Sequence, residues 1–222
     1  MSVMTNVAYI LSLIAPLFSY LKEEDYVSMQ QNLAWLDVRA AAGAPLQEAL
    51  SLPTWPARSS FQNELLVPGM PLAAMPVESL YKAWSTQQGN AFGATRGLYL
   101  GDPARHLSQV YRELAIEVPA EFASMPDHLT LELELLALLL DAGNGEAARQ
   151  LAADHLDWLD EYDAALADRA DIVAHNEALP SVRRRNLLDG IAFLRALAAL
   201  AQRTVGEALA FANAAEGEAV AV

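Results

Sequence analysis

An all-helical fold is predicted by the composition of the chain and by the spacing of its apolar residues. Hydrophobic residues make up 54% of the 222 residues, and Ala and Leu are the most common among them. Runs of β-branched residues, which are typical of strands, are scarce. A chain of this length can bury a large core. We therefore expect a single domain of roughly nine to eleven helices over residues 1–213, followed by a disordered tail over 214–222. Two subdomains around a proline-rich hinge at about 67–77 are the alternative.

Each helix is predicted from apolar periodicity, from capping residues, and from the prolines and glycines that end helical segments. The segment Val67–Pro76 holds three prolines and one glycine, a density that no helix tolerates, so it is predicted to be a loop or hinge. No strand and no internal repeat is predicted. The predicted helices cover, in order, about residues 3–21, 23–42, 45–50, 55–67, 77–87, 102–116, 127–140, 146–167 and a last long segment from 181.

The helix predicted from Asp127 is the most apolar of the chain. Pro126 prevents a helix from continuing from upstream, and Asp127 is a favourable N-cap residue. From Leu133 to Leu140 nearly every residue is apolar, and a helix that is apolar on all sides belongs in the middle of a bundle. At its start, the carboxylate of Asp127 can hold a guanidinium, and the imidazole of His128 can change its charge near neutral pH. The alternative is an N-cap followed by a surface histidine.

Charge and cysteine content exclude several functional classes. The formal charge of −14 and the pI near 4.5 argue against nucleic-acid binding, which requires Lys and Arg, and favour a basic partner. Without cysteine the chain has no disulfide, thiolate nucleophile or iron–sulfur ligand, which fits a reducing cytoplasm. The apolar segment Val7–Phe18 follows no Lys or Arg and is interrupted by Pro16. We therefore expect a buried first helix rather than an export signal or a stable membrane insertion.

Motifs of the common helical metal sites and hydrolases are missing from the sequence. The chain has no HExxH, no GxSxG and no Glu three residues before any histidine. Neither a metal nor another cofactor is therefore predicted, and enzymatic activity is not expected. The alternative is an all-α metal-dependent hydrolase that uses two Asp-His pairs, Asp127 with His128 and Asp154 with His155.

Three segments resemble motifs of the TorD/DmsD/NarJ chaperones, which mature molybdenum-containing oxidoreductases. Glu121–Leu129, followed by Glu132–Leu136, is similar to the Pro-Asp-His-Leu motif of that family. Phe61–Tyr81 is similar to its segment that ends in Ser-x-Tyr, and His155–Trp158 is similar to its His-Leu-x-x-Trp. The resemblance keeps the family's order along the chain.

This resemblance implies an all-α chaperone, not an enzyme, that binds the N-terminal twin-arginine signal of a molybdenum-cofactor oxidoreductase subunit. The chaperone would hold that subunit in the cytoplasm until its cofactor is inserted and it is exported or assembled. Its partners would be the signal peptide and the catalytic subunit, and the chaperone itself would be a monomer or homodimer without a cofactor. Carried over by motif, the peptide-binding residues are Asp127, His128, Pro76 and Tyr81, with Leu65 and Leu66 as apolar lining.

Overall fold

The computed structural model describes residues 3–220, and the side chains of residues 6–210. Within these residues, eleven α-helices and two short 3₁₀ segments, Ala15–Phe18 and Ala120–Phe122, form a single helical domain, as predicted. One isolated antiparallel bridge, between Val77 and His128, is the only β pairing in the part described. The helices are α1 (Val3–Ile14), α2 (Glu23–Gln31), α3 (Ala34–Ala42), α4 (Ala44–Gln47), α5 (Trp55–Leu65), α6 (Glu78–Tyr81), α7 (Asp102–Glu113), α8 (Leu129–Asp141), α9 (Gly145–His155), α10 (Leu159–His175) and α11 (Ser181–Val220).

The core of the bundle lies around α8 and α11. α8 packs against α1 and α9, and α11 packs against α1, α5, α9 and α10. All residues of α8 except Glu134, Leu138 and Asp141 are buried, which confirms the prediction of an apolar helix in the middle. Most apolar residues from Val7 to Phe18 are also buried, as expected for a first helix. No helix of the described residues is long and apolar enough to cross a membrane.

α5 and α11 approach closely because one residue of α11 has no side chain. A Cβ atom added to Gly190 would lie 2.3 Å from Cγ of Phe61, a fully buried residue of α5. Glycine lowers helix stability relative to alanine by about 1 kcal/mol, so its presence here is explained by helix packing. Further along the same helix, a Cβ atom at Gly206 would meet no atom within 4 Å.

A buried arginine joins α5 to the 3₁₀ segment that follows α1. Arg58 is fully buried, and its Nη1 donates to the carbonyl oxygen of Leu17 at 2.9 Å. Its Nη2 donates to the carbonyl oxygen of Ser19, and its Nε donates to Oε1 of Gln62 at 3.0 Å. Burial lowers the pKa of Arg58 to about 10, so the side chain stays charged at neutral pH. The guanidinium thus satisfies carbonyl groups that the end of the helical segment leaves without intrahelical donors.

Two predicted long helices are each divided in two. The helix predicted over 23–42 is broken at Asn32, whose backbone is extended. The side-chain oxygen of Asn32 accepts a hydrogen bond from the amide of Ala34 at 2.9 Å. An asparagine side chain that satisfies a backbone donor in this way competes with the helix. The predicted helix over 146–167 is interrupted after His155, where the indole of Trp158 donates to the carbonyl oxygen of His155 at 2.7 Å.

Two predicted helix boundaries are wrong. The helix predicted over 77–87 is a single turn, because the chain beyond it pairs with a later loop: the amide of Trp84 donates to the carbonyl oxygen of Thr95 at 2.9 Å. α8 does not begin at Asp127, and Asp127 is not its N-cap. The N-cap is His128, whose side chain accepts from the first turn.

The predicted loop and tail have different outcomes. The segment between Leu66 and Val77 contains no helix, as its prolines predict, while its role as a hinge stays a prediction. The disordered tail over 214–222 also stays a prediction, and residues 221–222 lie outside the described residues.

Candidate functional site

Three stretches of the chain meet at α6: the end of the proline-rich loop, the start of α8, and the junction of α9 with α10. The amide of Glu78 donates to the carbonyl oxygen of Asp127 at 3.0 Å, and the amide of Leu129 donates to the carbonyl oxygen of Pro76 at 2.9 Å. On the third stretch, Nδ1 of His155 lies 2.7 Å from Oε2 of Glu78. The structure therefore joins the three stretches that carry the family-like motifs.

The side chain of Asp127 binds the start of α6 inside the protein. Its side chain is fully buried, and its Oδ2 accepts from the amide of Ser79 at 2.7 Å and from the hydroxyl of the same residue. The Ser79 hydroxyl oxygen also accepts from the amide of Gly101 at 3.0 Å, which ties the start of α7 to the same point. Burial raises the pKa of Asp127, and the bonds from Ser79 oppose that rise. In this conformation the carboxylate does not face solvent, so the expected direct contact with a guanidinium is not available to it.

His128 caps α8 from a buried position. The side chain is 2% exposed, its Nδ1 accepts from the amide of Thr130 at 3.2 Å, and its ring centroid lies 4.9 Å from that of Phe122. Burial lowers the pKa of His128 to about 3. The imidazole is therefore neutral at pH 7, and the predicted change of charge near neutral pH is wrong.

A groove of about 690 Å³ lies beside His128, and we call it the apolar groove. Leu66 lines it, whereas Leu65 is fully buried in the core. Three charged side chains line the groove, and the rest of its wall is mostly apolar. Its other apolar lining residues are Tyr20, Leu21, Val67, Pro68, Met75, Phe122 and Met125.

A second groove of about 710 Å³ lies against α6 and the α9–α10 junction, and we call it the acidic groove. Tyr81 and Trp158 form an aromatic wall, with ring centroids 5.1 Å apart and ring planes 13° from parallel. The Tyr81 hydroxyl donates to the carbonyl oxygen of Met75 at 3.0 Å, which fixes the ring. Five carboxylates line the groove against the cationic side chains of Lys82 and Arg96. The carboxylates are Glu78, Asp102, Asp154, Asp157 and Glu161.

The ion pairs inside the acidic groove leave part of its negative charge unbalanced. Nζ of Lys82 lies 2.7 Å from Oε1 of Glu78 and 2.5 Å from Oδ1 of Asp157. Asp154 and Glu161 are exposed, and neither takes part in an ion pair within the described part of the chain. A cation that enters from solvent would therefore meet these two carboxylates.

The two grooves are neighbours along the chain. Met75 lines the apolar groove and Glu78 lines the acidic groove, with the buried Pro76 between them. Three residues of extended chain span at most about 10 Å. The linings of the two grooves therefore come within about 10 Å of each other at this segment.

A buried polar cluster lies under the acidic groove; its three residues fall in the three motif-bearing segments, but the motifs do not show that they meet. One ligand-type atom from each of Glu78, Glu132 and His155 lies within 4.8 Å of the other two. Nε2 of His155 also lies 2.7 Å from Nδ1 of His106. Burial, together with the negative charge of Glu78, raises the pKa of Glu132 well above its usual value. The one signal in the sequence is an acid within the apolar run of α8, because a buried carboxyl group requires a partner.

The four residues of the hydrolase alternative are not brought to one groove. His128 faces the apolar groove, while Asp154 and His155 line the acidic groove. Asp127 is occupied by Ser79 inside the protein. The geometry therefore does not assemble the two Asp-His pairs into a common site.

Comparison with known families identifies the chain. Residues 37–171, more than half of its length, match the family model described as nitrate reductase delta subunit. No curated protein matches the chain. The matched stretch contains all three motif-bearing segments that meet at α6. The chain therefore belongs to the nitrate reductase delta subunit family, which is the TorD/DmsD/NarJ family of molybdoenzyme maturation chaperones.

Proposed function

We propose that this chaperone binds the N-terminal twin-arginine signal of a molybdenum-cofactor oxidoreductase subunit in the cytoplasm. It holds that subunit until the cofactor is inserted and the subunit is exported or assembled. Family membership supports the class of client, a molybdoenzyme. The observation that carries the peptide assignment is the presence of an acidic groove and an apolar groove within three residues of each other along the chain.

The acidic groove suits two adjacent arginines. A guanidinium forms paired hydrogen bonds with a carboxylate, and Asp154 and Glu161 are exposed and without an ion pair among the described residues. Tyr81 and Trp158 line the same groove, and the face of an aromatic ring attracts a cation. The net charge of −14 attracts a basic peptide over a longer range.

The apolar groove suits the uncharged stretch that follows the arginines in such a signal. Burial of apolar surface is favourable by about 25 cal/mol per Å², so a few apolar side chains are enough to add affinity. Leu66 and His128 line this groove, and Tyr81 lines the acidic one. Pro76 lies in the segment that connects the grooves, while Asp127 and Leu65 support the site from inside the protein.

Isothermal titration with twin-arginine peptides, taken from oxidoreductase subunits encoded near this protein, tests the proposal. Replacement of both free carboxylates, Asp154→Asn with Glu161→Gln, should weaken binding at least about tenfold, because two charge-assisted contacts are removed. The matched control is Asp168→Asn with Glu177→Gln, which removes the same charge from exposed positions outside the grooves and should change Kd less than about twofold.

Two results would contradict the proposal. The first is the absence of binding between the folded wild-type protein and every peptide tested. The second is an equal loss of affinity in the groove variant and the control variant, which would show that net charge alone attracts the peptide.

A peptide with Lys-Lys in place of Arg-Arg should bind more weakly, because an ammonium group does not form the paired hydrogen bonds.

A further inference from the structure

We propose that Glu78, Glu132 and His155 form a binding site for one first-row divalent cation, such as Zn²⁺ or Mn²⁺, in the floor of the acidic groove. The three residues come from α6, α8 and the last position of α9. A bound cation would connect these helices directly beneath the peptide groove. This inference does not depend on peptide binding.

The distances between the three side chains suit a single ion. One oxygen of each glutamate and one ring nitrogen of His155 all lie within 4.8 Å of one another. Ligand atoms around Zn²⁺ lie about 2.0–2.2 Å from the ion, so a pair of ligands can be at most about 4.4 Å apart. A small side-chain movement would therefore complete the coordination.

Glu132 supplies the independent observation that something is missing from the cluster. Its side chain is fully buried, and neither of its carboxylate oxygens has a hydrogen bond of normal distance and angle within the described part of the chain, although Glu78 and the indole of Trp158 lie close enough to affect its pKa. The nearby cation, Lys82, pairs with Glu78 and with Asp157 instead. A buried carboxylate without a partner is strongly unfavourable, so Glu132 must take up either a proton or a cation.

The histidines favour a cation over a simple carboxyl pair. Nδ1 of His155 points at Glu78, and its other nitrogen lies 2.7 Å from Nδ1 of His106. When Nδ1 of His155 binds the ion, its Nε2–H can donate to His106, which orients the imidazole as outer partners do in metal sites. Two carboxylates with one imidazole suit Zn²⁺, Mn²⁺ or Fe²⁺ better than Ca²⁺, which prefers oxygen ligands alone. Glu78 and His155 line the acidic groove, so the ion has a route from solvent.

Metal titration of the full chain after EDTA treatment tests this proposal, with Zn²⁺ and Mn²⁺ added separately. The wild-type protein should bind one equivalent of at least one ion, and that ion should raise its Tm. Glu132→Gln should bind the same ion at least tenfold more weakly. The matched control is Glu134→Gln, two residues away on an exposed position of α8, which should bind as the wild type does.

Failure of the wild-type protein to bind either ion would overturn the proposal and leave a proton shared by Glu78 and Glu132. Equal binding by Glu132→Gln and the wild type would also overturn it, because the ion would then lie elsewhere. If Glu132→Gln does not fold, the visible spectrum of Co²⁺ bound to the wild-type protein tests whether the ion has protein ligands. A spectrum of a low-symmetry site with protein ligands supports the cluster, and that of hexaaqua Co²⁺ overturns it.

Discussion

Protonation of His128 should make the stability of the fold depend on pH below neutrality. The ring is 2% exposed, and its Nδ1 is the acceptor that caps α8 at the amide of Thr130. Burial lowers its pKa to about 3, against 6.5 for an exposed histidine. Because the folded pKa is the lower one, the unfolded chain binds more protons between these two values. Stability is therefore complete above about pH 6.5 and is lost as the pH falls toward 3.

The size of the effect follows from the pKa difference. At pH 5 the solution is 1.5 pH units below the unfolded pKa of 6.5, and each unit corresponds to about 1.36 kcal/mol. The free energy of unfolding is therefore lower at pH 5 by about 2 kcal/mol. Burial raises the pKa values of Asp127 and Glu132, and these groups contribute with the opposite sign. Both groups are present in a His128 variant as well, so the contribution of His128 is obtained as a difference between proteins.

Urea unfolding at pH 7, 6 and 5, followed by the fluorescence of the four tryptophans, measures this difference. His128→Asn keeps a side-chain acceptor at the N-cap but does not titrate in this range. Between pH 7 and pH 5 the wild type should lose about 2 kcal/mol more than this variant does. His175→Asn, at an exposed histidine, is the control and should keep the wild-type dependence. An identical pH dependence in His128→Asn and the wild type would refute the assignment of a buried, neutral imidazole.

Two further predictions concern the packing of α5. Gly190→Ala should lower the free energy of unfolding by about 1–3 kcal/mol, because the new methyl group would overlap Phe61, whereas Gly206→Ala on the same helix should raise it by up to about 1 kcal/mol. Urea unfolding of the two variants measures both changes in the free energy of unfolding. A Gly190→Ala variant that is more stable than the wild type would contradict the close approach of α5 and α11. Arg58→Met should cost more than about 3 kcal/mol in the same assay, because it leaves the buried carbonyl of Leu17 and the other acceptors unpaired, each at about 1–3 kcal/mol. A loss below about 1 kcal/mol would contradict this role of Arg58.

Local patterns predicted most of the helical frame. Apolar periodicity and prolines identified the loop before Val77 and the central position of α8, because both depend on residues that are close in sequence. The breaks inside two predicted helices were missed, since they depend on single competing hydrogen bonds. One of these is the bond that the Asn32 side chain accepts.

The candidate site was likewise predicted only in part from the sequence. Motif resemblance pointed to Asp127, His128 and Tyr81, but could not state which way each side chain faces. Asp127 turned inward because Ser79, far away in sequence, offers it two donors. The cluster of Glu132 and His155 was missed for the same reason, since its members belong to different helices and share no short spacing.

The sequence by itself determined the class of fold, the order of the helices and the acidic character of the surface. Periodicity, capping and charge act over a few residues or through simple composition, so they can be read without coordinates. Only the tertiary structure decided that a carboxylate at the start of α8 is internal, that an acidic groove and an apolar groove are lined by the same segment around Pro76, and that two glutamates meet a histidine in the core. These features arise where helices distant in sequence come within a few ångströms, and burial then sets the charge and the partners of each group.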